Sequence, residues 1–319
     1  MRAAVFREYG SPDVLRLEDV PTPVPGDDEV LIRVHAASIN AWDWDRLRGR
    51  PFMIRLGGVR KPKRTLLGGD VAGRVEAVGG NVTRFQPGDE AFGDLSGSGW
   101  GTFAEYVCAR ESALALKPTG VSFEDAAAIP QAGLLALQGL HGRVASGQSV
   151  LINGAGGGMG TFAVQLAVRY GAQVTGVDSA PKLDLIRSLG AEEAIDYTEE
   201  DFTRSGQTYD LILDAAGHHS VFDYKRALRP NGRYVMVGGA TGRIAQVLLL
   251  GSLVGRFERK RLGLLLYKPS ANALKYLGGL VESGTLTPVI DRRYPLDAVA
   301  DAMRYFATGQ VQGKVVITV

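Results

Sequence analysis

From about Ser149 the chain alternates short β-branched runs with amphipathic segments, and this alternation limits the fold more than any other feature. VLIN (150–153), QVTGVD (173–178), EAIDY (193–197), YDLILDAAG (209–217) and RYVMVGG (233–239) read as strands. Between the first three lie MGTFAVQLAVRYG (159–171) and PKLDLIRSLG (181–190), which read as helices. Pro181 suits a first helical turn and Gly171 and Gly190 suit helix ends. Strands that alternate with helices predict a parallel, doubly wound sheet, because parallel neighbours need a crossover between them.

The first 118 residues read differently. AAVF, EVLIRVHAASI (29–39) and GRVEAV (73–78) have strand character, separated by Pro and Gly turns, and no long helical period appears. After Lys268 come two helical segments, ANALKYLGGLVESG and DAVADAMRYFATG, and a closing strand, GKVVITV. The expected organisation is a β-rich domain over 1–118, an α/β domain over 119–268 and a return segment over 269–319 whose last strand rejoins the head. The apolar run IAQVLLLGSLVG (244–255) is too short to span a bilayer and reads as a buried or interface helix. It runs into the basic stretch RFERKR (256–261).

The sharpest local signal is VLINGAGGGMG. Ala155, Gly157 and Gly160 sit at small-x-small-x-x-Gly spacing between a strand and a helix. Small residues there let the backbone approach a pyrophosphate, which the helix N-terminus then attracts. Asp178 lies 21 residues beyond Gly157, at the end of the next strand, where a carboxylate accepts from the adenosine ribose of NAD(H). Lys182, four residues on, pulls toward the extra phosphate of NADP(H). The balance leans to NAD(H). A helix cap for Asp178 and a solvated face for Lys182 are the plain structural alternatives.

The stretch GQSVLINGAGGGMGTFAVQLAV (147–168) resembles the signature of the zinc-independent quinone oxidoreductases of the medium-chain dehydrogenase/reductase superfamily, departing at Val168. SINAWDWDRLRG (38–49), LGGDVAGRVEAVG (67–79), PGDEAFG (87–93), SLGAEEAIDY (188–197) and GKVVI (313–317) extend the resemblance nearly end to end. It implies an α/β protein: a GroES-like β-rich catalytic domain, a Rossmann domain for the nicotinamide cofactor, and a cleft between them. It also implies roles for residues. Asn40 matches an asparagine near the nicotinamide, and Ala155, Gly157, Gly158, Met159 and Gly160 form the phosphate turn. Tyr197 matches a tyrosine over the adenosine half, and Ala216, Gly217, Gly238 and Gly239 match cofactor-flanking loops. Asp45 stands where some quinone reductases have tyrosine. A homodimer, joined through an edge strand within VLLLGSLV or LGLLLY (262–267), follows from the same resemblance.

Zinc-dependent relatives surround their metal with Cys, His-Glu and a further Cys or Asp. The matching positions here are Asn40, Gly69-Asp70 and Gln131, and the single cysteine, Cys108, allows no thiolate cluster. No zinc is expected. Without a Lewis acid, alcohol oxidation is disfavoured, and electron-poor acceptors remain. The expected activity is hydride transfer from NAD(P)H to a quinone or α,β-unsaturated carbonyl. Asn40 or backbone amides would stabilise the developing oxyanion. The alternatives are a zinc-independent alcohol or aldehyde dehydrogenase, and a nucleotide-sensing or RNA-binding protein on the same fold.

The formal charge is +2 in 319 residues, which predicts neither nucleic-acid nor membrane binding. The basic loop RLGGVRKPKRT (55–65) reads as solvated, since it lacks interleaved aromatics. Without a leader-like start or cysteine framework, a cytoplasmic location is expected.

Overall fold

The computed structural model describes every residue except Ser98 and residues 255–257. The end of the apolar run at Gly255 and the start of the basic stretch at Arg256 and Phe257 lie outside the described residues. The chain divides into two compact units, Met1–Leu134 with Lys268–Val319, and Leu135–Tyr267.

In the first unit the long strand Glu29–Ser38 is the organiser. Its inward side chains Val30, Ile32 and Val34 are buried, as alternation across a pleated strand requires. It pairs antiparallel with Asp70–Val78, Tyr106–Arg110 and the C-terminal strand Lys314–Thr318. Val316 stands opposite Ser38 and Ser38 opposite Asp70, so strands from both ends of the sequence meet at one register level. Asp70–Val78 continues to Glu90–Asp94 and Leu114–Leu116, and Ile290–Pro295 runs parallel to the C-terminal strand.

An eight-residue helix, Ala41–Arg48, interrupts this β-rich region. Its WDWDR run carries little apolar periodicity, so hydrophobic patterning does not announce it. Its N-terminus is fixed instead by the Asp43 carboxylate, which accepts from the Asn40 N–H at 2.8 Å. Gly49 closes it in the left-handed region at φ 60°.

In the second unit six parallel strands take the order Glu193–Asp196, Gln173–Asp178, Ser149–Asn153, Tyr209–Asp214, Leu228–Met236 and Arg261–Leu264. The order reverses beside Ser149–Asn153, where doubly wound sheets bind ligands beyond their strands' carboxyl ends. The apolar run forms a helix, Thr241–Val254, as its length suggested, and the edge strand is Arg261–Leu264. The strand reading of VLLLGSLV is therefore not adopted by the chain. His218 and His219 precede the helix Val221–Ala227, which Ser220 caps.

Candidate functional site

The phosphate turn is built by close approach. Gly154 and Ala155 both donate to the carbonyl of Val177, at 2.9 and 3.1 Å, which stitches the turn to the next strand. A Cβ on Gly160 would lie 2.1 Å from the Gly154 carbonyl oxygen, so only glycine fits there. The helix Gly158–Arg169 then begins at Gly157, whose carbonyl accepts from Thr161 N–H at 3.0 Å. The amides of its first turn have no intrahelical acceptors and suit a phosphate.

Asp178 is 7% exposed and already engaged. One carboxylate oxygen accepts from Gly156 N–H at 2.9 Å; the other accepts from Ser179 N–H at 2.9 Å and lies 3.2 Å from Lys182 Nζ. Asp178 therefore positions the glycine turn itself. Lys182, also buried, offsets the carboxylate's repulsion of a second phosphate. The lean to NAD(H) rests on Asp178 outweighing Lys182, and their ion pair leaves neither charge unopposed. Tyr197 is exposed, and its N–H donates to the Asp178 carbonyl at 3.2 Å, which brings it to the same corner.

The loops after the fourth and fifth strands also converge. Gly217 and Gly239 form a parallel bridge, and a Cβ on Gly239 would meet Gly217 Cα at 2.6 Å. Ala216 and Gly217 donate their N–H groups to Asp214 Oδ1 at 2.9 and 2.8 Å. Asn153 Nδ2 and Tyr234 OH complete the shell of Asp214, each at 2.8 Å. Burial beside this carboxylate pushes the Tyr234 phenol far above its ordinary range, so it remains a donor. Sequence reading missed Asp214, although an acid ending an apolar strand just before Ala-Ala-Gly is a visible signal.

In the first unit Asn40 lies within a buried polar cluster. Asp70 accepts from Ser38 Oγ and Asn40 Nδ2, both at 2.8 Å, and from Gln131 N–H at 3.0 Å. Lys314 Nζ is 3.4 Å from the same carboxylate, and donates to Asn40 Oδ1 at 2.5 Å and to the Ile39 carbonyl at 3.1 Å. The Asn40 amide is thus held at both ends, with one of its two N–H donors committed to Asp70. Burial lowers the Lys314 ammonium from its usual value, opposed by Asp70 and Asp43. Burial likewise raises Asp43 to about 7, against hydrogen bonds from the Asn40 and Gly68 amides.

This donor set does not fit zinc. Asp70 is saturated by three hydrogen-bond donors and an ammonium, and Asn40 and Gln131 are poor ligands for it. Among the described residues no group of three or more His, Cys, Asp or Glu converges. Of the three tryptophans, Trp44 packs against the core, Trp100 lies under the Arg46 guanidinium at 4.3 Å, and Trp42 is exposed. Burial raises the Cys108 thiol to about 11, which disfavours its thiolate.

Two family models match the chain: an alcohol dehydrogenase GroES-like domain over residues 26–119 and a zinc-binding dehydrogenase over residues 189–317. A 2-methylene-furan-3-one reductase of Solanum lycopersicum is 36% identical, over 99% of this chain and 79% of its own. An NADPH-dependent alkenal/one oxidoreductase, chloroplastic, of Arabidopsis thaliana is 34% identical over the same shares. The solved quinone oxidoreductase from Coxiella burnetii superposes with a TM-score of 0.92 at 33% identity, covering 100% of this chain and 99% of that one. The chain belongs to the quinone oxidoreductase group of the medium-chain dehydrogenase/reductase superfamily.

Proposed function

We propose that the protein reduces quinones or α,β-unsaturated carbonyls with NADH or NADPH, without zinc. The observation that carries this reading is the glycine turn locked to Asp178 and Lys182, a built cradle for a dinucleotide phosphate. A bound nicotinamide would supply the hydride. The chain supplies binding and orientation. Amides from Gly158 to Gly160 would hold the pyrophosphate, Tyr197 would cover the adenosine half, and the loops at Ala216–Gly217 and Gly238–Gly239 would flank the cofactor.

Asn40 is the residue we assign to the reacting end. Its amide is oriented by Asp70 and Lys314, which leaves its second N–H donor for a carbonyl or developing oxyanion. The saturated Asp70 argues for an acceptor that is reducible without Lewis-acid activation, as the similarity to a 2-methylene-furan-3-one reductase and an alkenal/one oxidoreductase also suggests. The Asp178–Lys182 pair presents both signs of charge at the adenosine end, which suits acceptance of either cofactor.

The exposed Leu248, Leu249 and Leu253 of the helix Thr241–Val254, with Leu266 after the edge strand, support a homodimer through this face. No helix among the described residues is long and apolar enough to cross a membrane. We read the location as cytoplasmic.

Initial rates of NADH and NADPH oxidation, with a quinone panel and one enone, test the activity. Turnover unaffected by a chelator is expected. Tight cofactor binding without turnover of any acceptor, or activity lost to chelation and restored by zinc, overturns the reading.

A further inference from the structure

From Arg50 to Arg64 the chain carries six cations (Arg50, Arg55, Arg60, Lys61, Lys63 and Arg64) and no carboxylate. Interleaved with them, Phe52, Met53, Leu56 and Val59 are 64, 74, 71 and 56% exposed. Single exposed apolar residues are ordinary, but four within eight residues make a patch that water disfavours. The segment is not loosely draped. Tyr9 OH donates to the Gly58 carbonyl at 2.8 Å, Arg55 Nε donates to the Gly49 carbonyl at 2.9 Å, and the Arg55 guanidinium sits 4.7 Å over the Tyr9 ring. The apolar side chains are therefore held outward by a pinned backbone.

A cavity of about 230 Å³ lies against this segment, with Arg46, Lys63 and Arg64 lining it beside Tyr9 and Ile54. Arg46 Nε is buried and has no hydrogen-bond partner. Burial and the neighbouring Arg64 both hold the Arg46 guanidinium below its usual value, with only Asp43 and Tyr9 opposing them. A half-buried cation held beside a second one is costly unless an anion joins them.

We propose that this face docks on an anionic phospholipid bilayer. A headgroup phosphate sits among Arg46, Lys63 and Arg64, while Phe52, Met53 and Leu56 enter the interfacial layer. A free phosphate would use the cations and leave the apolar patch in water. Single-stranded RNA is bound through interleaved aromatics, and Phe52 is the only aromatic residue in the segment. A second copy meeting this face through a two-fold axis would oppose like charges. An anionic leaflet satisfies both the charge and the exposed apolar surface. The chain's +2 net charge conceals the site, because 34 acids elsewhere offset the segment's cations.

Sedimentation of the full chain with phosphatidylcholine vesicles, with and without about 30 mol % phosphatidylglycerol, tests this. Binding is expected to the anionic vesicles only, and to weaken as salt shortens the Debye length below its ~10 Å at 0.1 M. The triple variant Lys61→Gln, Lys63→Gln, Arg64→Gln should lower partitioning by roughly 100-fold, at about fivefold per cation. Phe52→Ser, Met53→Ser, Leu56→Ser together should lower it by at least about tenfold and keep the salt sensitivity of the remainder. Far-UV circular dichroism of both variants should match the parent, since every altered side chain is exposed.

No sedimentation, or equal sedimentation with neutral vesicles, overturns the proposal. So does thermal protection by inorganic phosphate without vesicle binding, which would make this a free-anion site. Retention of an RNA oligonucleotide without vesicle binding, or a dimer that becomes monomeric in the Phe52→Ser triple variant with vesicle binding unchanged, overturns it as well.

Discussion

Asp70 and Asp214 are both fully buried at strand termini, one in each unit, yet their partners differ in kind. Asp214 is surrounded by neutral donors: an amide, a phenol and two backbone N–H groups. Asp70 shares its neutral donors with a buried ammonium, Lys314, which is 2% exposed. The first arrangement pins a loop. The second balances charge around Asn40, and removing one member leaves the other charge stranded in low dielectric. A buried carboxylate therefore reports different things in the two units: loop geometry in one, and electrostatic setting of a candidate reacting group in the other.

The largest expected effect follows from that contrast. Lys314→Met leaves Asp70 buried without its counter-charge and should cost about 3–5 kcal/mol of stability. Urea denaturation would show it as a lower midpoint, and adding Asp70→Asn should restore most of the loss. If the single variant is as stable as the parent, Lys314 does not balance Asp70. Asp214→Asn should cost less, about 1–3 kcal/mol, because the amide keeps one acceptor and the Tyr234 hydroxyl can turn to accept. A larger loss for Asp214→Asn than for Lys314→Met would reverse the comparison.

Asp43 sharpens it by pH. Its carboxyl is raised to about 7 in the folded chain, from about 3.9 when unfolded. A raised acid binds its proton more tightly when folded, so its stabilising contribution is complete below about pH 4 and is lost as pH rises through about 7. Unfolding midpoints should therefore carry a component that falls between pH 4 and pH 7, and Asp43→Asn should remove that component. Identical slopes for parent and variant would show that Asp43 is ionised throughout.

How much of this the residues announce depends on sequence distance. The phosphate turn is legible because its determinants are contiguous: a β-branched strand, small residues at fixed spacing and a helix that follows. The Asp178 tether to Gly156 was half legible. Its place at the end of the second strand points to the cofactor, but its Lys182 partner and its bond back to the turn emerge only from the folded chain. Lys314 was not legible at all. It is 244 residues from Asp70, and a lysine opening a strand reads as solvated until the C-terminal strand is paired with Glu29–Ser38. The helix Ala41–Arg48 escaped because capping by Asp43, not an apolar stripe, starts it. The basic segment Arg50–Arg64 was visible as charge, but the outward Phe52, Met53 and Leu56 beside it were not.

The smallest expected effect concerns the other unit's ion pair, where charge balance bears on cofactor choice. Asp178→Ala removes the acceptor proposed for ribose hydroxyls, together with the carboxylate oxygen that lies 3.2 Å from Lys182 Nζ. NADH use should weaken more than NADPH use, so the ratio of their kcat/KM values should fall by roughly tenfold, the equivalent of one charged hydrogen bond. Loss of the Gly156 tether should weaken both cofactors together, through KM, without moving that ratio. Lys182→Ala should move the ratio the opposite way. Two variants that lower affinity equally for both cofactors would assign the pair to turn geometry alone. The second unit would then hold the Asp178–Lys182 pair for structure only, and among the described residues the proposal for buried charge in the reaction would rest on the setting of Asn40 in the first unit.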